Sequence, residues 1–218
     1  MANHCYNYVS GSGSKENLTR LQSIVRVLAG NTGISGEYLS LWSKNYPAFF
    51  SISVKEQNDP EEETLDAWDR VYDDWGSKWF DANFDINVED GSLTISGDSA
   101  WSPVLPFFIK LAKEYKLELE GYYDESGMDF AGEFTINSEG ELEDNQITSR
   151  QFRMKDNPEG FWEDIMYWIS DGIYKTIEEV KNEFDVDYWG ELEEKDVVLL
   201  QKALDNFLAS EKNDEKTI

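Results

Sequence analysis

The chain has 218 residues, of which 40% are hydrophobic, including eight Trp, eleven Tyr and twelve Phe. This aromatic content can bury a sizeable core, which excludes a disordered acidic tail although 45 acidic residues face only 19 basic ones. The net charge of −26 repels nucleic acid and anionic membranes, and the single Cys5 excludes both an intramolecular disulfide and a cysteine-based zinc site.

The first part of the chain alternates between strand and helix patterns. Residues 5–9 are strand-like, and Ser14 is a suitable N-cap for an amphipathic helix over residues 15–29. We expect a further strand over residues 48–54. A strongly acidic helix then begins at Pro60, because acidic residues in a first turn complement the helix dipole.

The remainder of the chain is predicted to form a hairpin, a helix, more strands and then helices. Alternating patterns on both sides of Asp90-Gly91 are typical of a short hairpin, over residues 84–89 and 92–96. A helix over 103–115 follows, then strands over 117–123 and 130–136 and a weaker strand over 146–149. Beyond Pro158 we expect helices over 161–175, 177–184 and 197–208. This order predicts the α+β class.

These elements suggest one main domain with a helical extension. We expect an α+β domain over residues 1–150, with an insertion at 30–80 and an extra β-hairpin. Helices over 158–210 should pack on the same core, and residues 211–218 should be a disordered tail. A chain with no apolar run of membrane-spanning length and no signal peptide is expected in the cytoplasm.

Three short motifs, taken with the opening residues 1–7, resemble a known family. They are Trp-Gly-Ser-Lys-Trp at 75–79, Ala-Trp-Ser-Pro at 100–103 and Gly-Met-Asp-Phe-Ala-Gly at 127–132. Their order and spacing over roughly residues 1–137 resemble the YubB ferredoxin-like domain family, whose members are found mainly on phages and mobile plasmids. One departure is Val104, where many members have a second proline.

The resemblance implies a ferredoxin-like βαββαβ core and a phage or plasmid context. The core would comprise a strand at 5–9, a helix at 15–29, a hairpin at 83–98, a helix at 103–115 and a strand at 117–123. The family has unknown function, so the resemblance implies no chemistry.

Aromatic and charged residues near the motifs form a candidate ligand site. Indole faces can stack on a base or an amine, and backbone amides at the helix N-terminus beside Lys15 favour an anion. Alternatively the indoles fill the core, Ser102 caps a helix with Trp101 as its hydrophobic staple, and residues 127–132 form a tight hairpin. The candidate ligand-binding residues are Trp75, Lys78, Trp79, Trp101, Asp129 and Lys15.

The acidic residues form a second candidate site, for a protein partner. Residues 1–54 carry a net charge of +2, so residues 55–218 carry −28. Glu118 and Glu120 are two apart on a predicted strand and should share a face. Arrays of carboxylates can imitate the phosphates of DNA. The candidate partner-binding residues are Glu61, Glu62, Asp66, Asp69, Asp73, Glu118 and Glu120.

The leading hypothesis is a non-catalytic acidic binding protein of a mobile element. It would sequester a basic or nucleic-acid-binding host protein through DNA mimicry or in an anti-defence role, without binding nucleic acid or membrane directly. We expect no catalytic residue, metal or cofactor, and the oligomeric state stays open. The alternatives are a protein that binds a small nucleotide-like ligand and, third, a carboxylate-based hydrolase.

Overall fold

The structure is a computed structural model that describes residues 3–30, 37–42, 49–50, 73–170, 176–183 and 193–214. Backbone contacts divide the chain into two compact units, Met1–Ser149 and Arg150–Ile218. The first unit contains the sheet, and the second contains helices. None of the described helices is both long and apolar enough to cross a membrane.

An antiparallel sheet forms the frame of the first unit. Its neighbouring strands follow the order β2-β3-β4-β1-β5-β6-β7, and every neighbouring pair is antiparallel. The strands are β1 (His4–Ser12), β2 (Glu37–Trp42), β3 (Trp79–Asn87), β4 (Ser92–Ala100), β5 (Glu118–Glu125), β6 (Phe130–Ile136) and β7 (Leu142–Ile147).

Two helices, α1 (Lys15–Ala29) and α2 (Leu105–Tyr115), share a hydrophobic core with the sheet. The Ser14 hydroxyl accepts a hydrogen bond from the amide of Asn17, and Gly30 ends α1 in the left-handed conformation at φ 66°. The core contains Leu18 and Leu21 of α1 together with Phe107, Phe108 and Leu111 of α2. The predicted bounds of the first helix are confirmed, because its cap, its apolar spacing and its terminal glycine are all local signals.

The order β1, α1, β3, β4, α2, β5 is the predicted βαββαβ core, and the α+β fold class is confirmed. Strand β2 follows α1 and pairs with β3, whereas β6 and β7 extend the other edge. The inserted strand was expected at 48–54. Phe49 and Phe50 instead form a turn, where Phe49 stacks on Phe84 with ring centroids 5.8 Å apart. The rest of the predicted strand, residue 48 and residues 51–54, lies outside the described residues.

The start of α2 differs from the prediction. Val104 occupies the N-cap without any side-chain hydrogen bond, and the Ser102 hydroxyl donates to the carbonyl of Gly76 instead. Trp101 is 42% exposed and has a φ of 60°, so it does not act as a hydrophobic staple. The Ser102 hydroxyl, which was expected to cap this helix, therefore bonds instead to a residue distant in sequence.

The second unit has its own apolar core. Phe161, Trp162 and Ile165 pack with Leu200 and Leu204 in one buried cluster. The helices are α3 (Ser149–Asp156), α4 (Pro158–Ser170), α5 (Ile177–Glu183) and α6 (Glu194–Asp214). Helix α3 was not predicted, and α6 extends to Asp214, past the expected start of the tail. The packing of these helices on the sheet core stays a prediction.

Candidate binding face of the sheet

Strand alternation gives the sheet two chemically different faces. In β1, Cys5, Asn7 and Val9 are buried toward α1 and α2. The alternate residues, which include Tyr6 and Tyr8, therefore lie on the opposite side. We call the side of the sheet opposite α1 and α2 the outer face.

The described strands that form the outer face carry acidic residues but no Lys or Arg. None of the seven strands that the structure describes contains a Lys or Arg. The register assigns eight carboxylates to the outer face. They are Asp81, Asp85, Asp98, Glu118, Glu120, Asp124, Glu133 and Glu143. The described strands that form this face therefore lack the mixed charges of an ordinary solvated surface.

Aspartates and a tyrosine form one row across four strands. Asp81 is opposite Asp98, Asp98 is opposite Tyr6, and Tyr6 is opposite Asp124. The Ser149 hydroxyl donates a hydrogen bond to Asp124 Oδ1. We call this set the aspartate row. It concentrates three carboxylates where neighbouring strands are about 4.8 Å apart.

A second row carries aromatic side chains, and Tyr8 and Tyr122 lie at its centre. Their rings are stacked, with centroids 5.3 Å apart and planes 21° from parallel. Glu133 follows on β6, opposite Tyr122, and Asn145 follows on β7. Burial, and then the nearby Tyr6, Tyr8 and Asp124, raise the pKa of Tyr122. The hydroxyl of Tyr122 is therefore neutral at physiological pH.

A third row adjoins the tyrosines and completes a groove. Ser10, Glu120, Thr135 and Glu143 succeed one another across β1, β5, β6 and β7. The Ser10 hydroxyl donates to Glu120 Oε1 at 3.4 Å. The second and third rows together line a groove of about 500 Å³. An adjoining hollow of about 560 Å³ continues past Glu120 to Glu118.

The predicted partner-binding residues fall into three groups. Glu118 and Glu120 both lie on the outer face, as expected from their spacing. Glu118 Oε1 also accepts the amide of Ser138 at 3.1 Å. Asp73 is exposed in a short helical turn outside the sheet. The remaining candidates, Glu61, Glu62, Asp66 and Asp69, lie outside the described residues, as does most of the predicted acidic helix.

Trp75 belongs to the core rather than to an open ligand site. It is 9% exposed, and its ring stacks on Phe50 with centroids 5.6 Å apart. The Lys110 ammonium lies 4.1 Å from its ring centroid. Because these contacts occupy the indole, the expectation that Trp75 presents a face to a ligand is corrected, and the core alternative is supported.

The other predicted ligand-binding residues do not form one site. Trp79 is half-buried and meets His4 edge-on, with ring centroids 5.2 Å apart. Lys78 is half-buried beside it, and Trp101 follows the end of β4. Lys15 lies beyond the opposite end of β1, where it pairs with Glu89 at 2.6 Å. A nine-residue strand is about 30 Å long, so Lys15 and Trp101 cannot share a small ligand.

Asp129 lies in the turn between β5 and β6. Glu125 is 1% exposed and accepts the amides of Gly127, at 3.2 Å, and of Met128. Asp129 itself has a φ of 51°, in the left-handed region. These features support the hairpin alternative for residues 127–132.

Two of the three sequence motifs, at residues 75–79 and 100–103, connect the start of β3 to the end of β4. The Ser77 hydroxyl accepts the amide of Ala100 at 2.9 Å, and Ser102 donates to the carbonyl of Gly76. A Cβ on Gly76 would lie 2.6 Å from the carbonyl oxygen of Pro103. The residues therefore hold the start of β3 against the end of β4, which explains their small side chains without invoking a ligand.

The sequence analysis missed the tyrosine pair and most outer-face carboxylates. One signal was readable, because no predicted strand segment contains a Lys or Arg. The convergence of Tyr8, Tyr122, Glu133 and Glu143 depends on strand register, which pairs residues far apart in the chain. Among the described residues, no group of three or more His, Cys, Asp or Glu is arranged to hold a metal ion.

Among the comparisons with known proteins, the match to one family model supports the ferredoxin-like fold. Residues 75–167, from before β3 into α4, match the model of a family described as "Ferredoxin-like domain in Api92-like protein". A crystal structure of protein api92 from Yersinia pseudotuberculosis is 9% identical, covering 67% of this chain and 98% of that one, with a TM-score of 0.37. No curated protein matches the chain.

Proposed function

We propose that this protein is a non-catalytic acidic binding protein that sequesters a basic, nucleic-acid-binding host protein in the cytoplasm. The observation that carries the proposal is the outer face, with eight carboxylates and no Lys or Arg on its seven described strands. A face of one sign steers an oppositely charged partner and disfavours partners of like charge.

The spacing of these carboxylates supports mimicry of a nucleic acid. Side chains on one face repeat about every 6.6 Å along a strand and about every 4.8 Å between strands. The face thus presents eight anions at positions of a regular grid, and an array of anions is the feature of DNA that basic proteins bind irrespective of base sequence. The proposed mode is occupation of a partner's nucleic-acid site, without direct contact with nucleic acid.

A phage or plasmid origin and an anti-defence role form the finer part of the proposal. They derive from the resemblance of the three motifs to the YubB family, whose members occur mainly on mobile elements. Such elements gain from blocking host nucleases or helicases, whose substrate channels are basic. An acidic protein that fills such a channel needs no active site of its own.

The nucleotide-like ligand alternative is not favoured by the ion pairs. It needs unneutralised cations near the glycine turn at 11–14. Lys15 pairs with Glu89 at 2.6 Å and Arg20 with Glu114 at 2.8 Å. Arg26 and Lys44 are the other two basic residues among residues 1–54, and Lys44 lies outside the described residues. No observation favours the carboxylate-based hydrolase.

Affinity purification from a bacterial lysate tests the proposal. The tagged protein is compared with an outer-face variant, Glu120→Gln/Glu133→Gln/Glu143→Gln, and with a control variant of equal charge. The control, Glu16→Gln/Glu89→Gln/Glu139→Gln, changes exposed acids on a helix and turns. Basic nucleic-acid-binding proteins should be retained at low salt, released by added duplex DNA, and lost only in the outer-face variant. The proposal is overturned if no protein is retained, if the retained proteins are not basic, or if both variants retain them equally.

A further inference from the structure

The groove beside Tyr8 and Tyr122 has a composition suited to one kind of side chain. It is lined by the stacked Tyr8–Tyr122 pair and by Glu120, Glu133 and Glu143. All three glutamates are exposed. A volume of about 500 Å³ lies within the range of roughly 300–1,000 Å³ typical of ligand pockets. A long cationic side chain therefore has both space and partners here.

We infer that this groove receives an arginine side chain of the basic partner, stacked beside the Tyr8–Tyr122 pair and hydrogen-bonded to the glutamates. The inference rests on the proposed function and adds to it the residue type that is recognised. It also commits the outer face to one occupant, a basic protein segment, because the charge of the face is complementary to that segment.

The geometry favours arginine over lysine. A guanidinium is planar, so it can lie against a tyrosine ring while its N–H groups donate to carboxylates in its own plane. Here the carboxylates come from three strands, since Glu120, Glu133 and Glu143 lie on β5, β6 and β7. An ammonium is a strongly hydrated point charge with three donors, and it gains less from contact with an aromatic ring.

The continuation of the groove fits an extended basic segment. Glu118, Glu120 and Tyr122 occupy alternate positions of β5, and the adjoining hollow of about 560 Å³ follows the same direction. Alternate side chains of an extended peptide repeat about every 6.6 Å, which matches the repeat of the strand beneath. The segment would therefore place one arginine over the tyrosines and another basic residue near Glu118.

Fluorescence anisotropy with two labelled peptides, hexa-arginine and hexa-lysine, tests the inference. Both peptides have the same length and charge, so the ratio of their affinities reports side-chain type rather than total charge. We expect hexa-arginine to bind about two- to fivefold more tightly to the unaltered protein at physiological salt.

Three variants test which residues produce the preference for hexa-arginine. In Tyr122→Leu the two affinities should become equal, whereas in Tyr38→Leu the preference should remain. Tyr38 is a matched control because it is 47% exposed and lies on the same face, on the edge strand β2. Glu133→Gln/Glu143→Gln should weaken binding of both peptides, and these exposed substitutions keep the test valid if Tyr122→Leu fails to fold.

The outcomes separate this inference from the proposed function. If both peptides bind equally well to the unaltered protein, or if Tyr122→Leu or Tyr38→Leu shows the reverse of its expected effect, the arginine site is refuted. In that case salt-dependent binding to both peptides would still support a cation-binding face. If neither peptide binds at low salt, the proposed function and the arginine site both fail.

Discussion

Asp81 and Asp98 stand directly opposite each other on β3 and β4, so the sheet holds two carboxylates at one cross-strand position. Asp81 Oδ1 is buried and has no hydrogen-bond partner within the described part of the chain. Like charges in direct opposition destabilise a sheet. The aspartate row therefore reduces stability, which is understandable if the charge of the outer face serves binding.

Replacing Asp81 with Asn should stabilise the protein. Removing the repulsion from Asp98 should raise the free energy of unfolding by about 0.5–1 kcal/mol at low salt. The gain should diminish in 1 M salt, where screening weakens the repulsion. Urea unfolding at both salts measures it, with Asp85→Asn as the control because Asp85 is opposite Thr94. Equal effects of the two substitutions would contradict the role assigned to the Asp81–Asp98 pair.

Ionisation of Tyr115 should make the free energy of unfolding depend on pH in the alkaline range. Burial, with a smaller contribution from Glu114, raises the pKa of Tyr115 to about 12, although Arg20 acts in the opposite direction. Its hydroxyl donates to the carbonyl of Phe49 at 2.5 Å. Because the folded-state pKa exceeds the unfolded value near 10, the stabilisation is complete below pH 10 and is lost as the pH rises through about 12.

The variant Tyr115→Phe isolates this contribution from the other tyrosines. At pH 8 the variant should be less stable than the unaltered protein by about 1 kcal/mol, the value of one hydrogen bond. Urea unfolding from pH 8 to 11.5 should show this difference narrowing as the pH rises. A difference that is independent of pH would show that the Tyr115 hydroxyl does not titrate as the linkage requires.

Cys5 should be unreactive in the folded protein. Its side chain is fully buried, and burial followed by the charges of Glu125 and Asp124 raises the pKa of its thiol to about 12. The thiolate is the nucleophile, so labelling by a disulfide reagent at pH 8 should occur only after unfolding in urea. Rapid labelling without urea would mean that β1 leaves the sheet readily.

The ion pair between Arg150 and Asp196 should stabilise the helical second unit. Arg150 Nη2 lies 3.1 Å from Asp196 Oδ2, and the two side chains are only 15% and 3% exposed. The same oxygen accepts the amide of Glu193 at the start of α6. Asp196→Ala should destabilise this unit by about 3 kcal/mol, because it removes the carboxylate that pairs with the mostly buried Arg150 and accepts the amide of Glu193.

Thermal unfolding followed by circular dichroism measures the effect of Asp196→Ala. Asp205→Ala is the control, since Asp205 is exposed on the same helix and accepts a hydrogen bond from Gln201 at 2.9 Å. Such an exposed contact contributes about 0.5 kcal/mol or less. Equal shifts in the two variants would show that the buried pair adds nothing.

Local signals predicted the elements whose ends are defined within a few residues. Helix α1 was placed correctly because Ser14, the apolar spacing and Gly30 all lie within or beside it. Strand β2 was missed although Leu39 and Leu41 alternate with polar residues, since a six-residue strand gives a weak pattern. The start of α2 was misplaced because Ser102 bonds to Gly76, and that contact joins residues 26 positions apart.

The candidate site was predictable only within single strands. The shared face of Glu118 and Glu120 follows from the two-residue period of one strand. The stacking of Tyr8 on Tyr122 depends on the pairing of β1 with β5, which no local pattern specifies. Likewise the sequence left two environments open for Trp75, and only the positions of Phe50 and Lys110 decide between them.

The added strands change how large a partner the sheet can accommodate. The four strands of the βαββαβ core cover a width of about 14 Å, whereas the seven described strands cover about 29 Å. With strands about 25 Å long, the area of one face of the sheet grows from about 350 to about 700 Å². A stable interface takes about 800 Å² from each protein. The core alone would offer a footprint suited to a peptide, and β2, β6 and β7 enlarge it toward that of a folded domain.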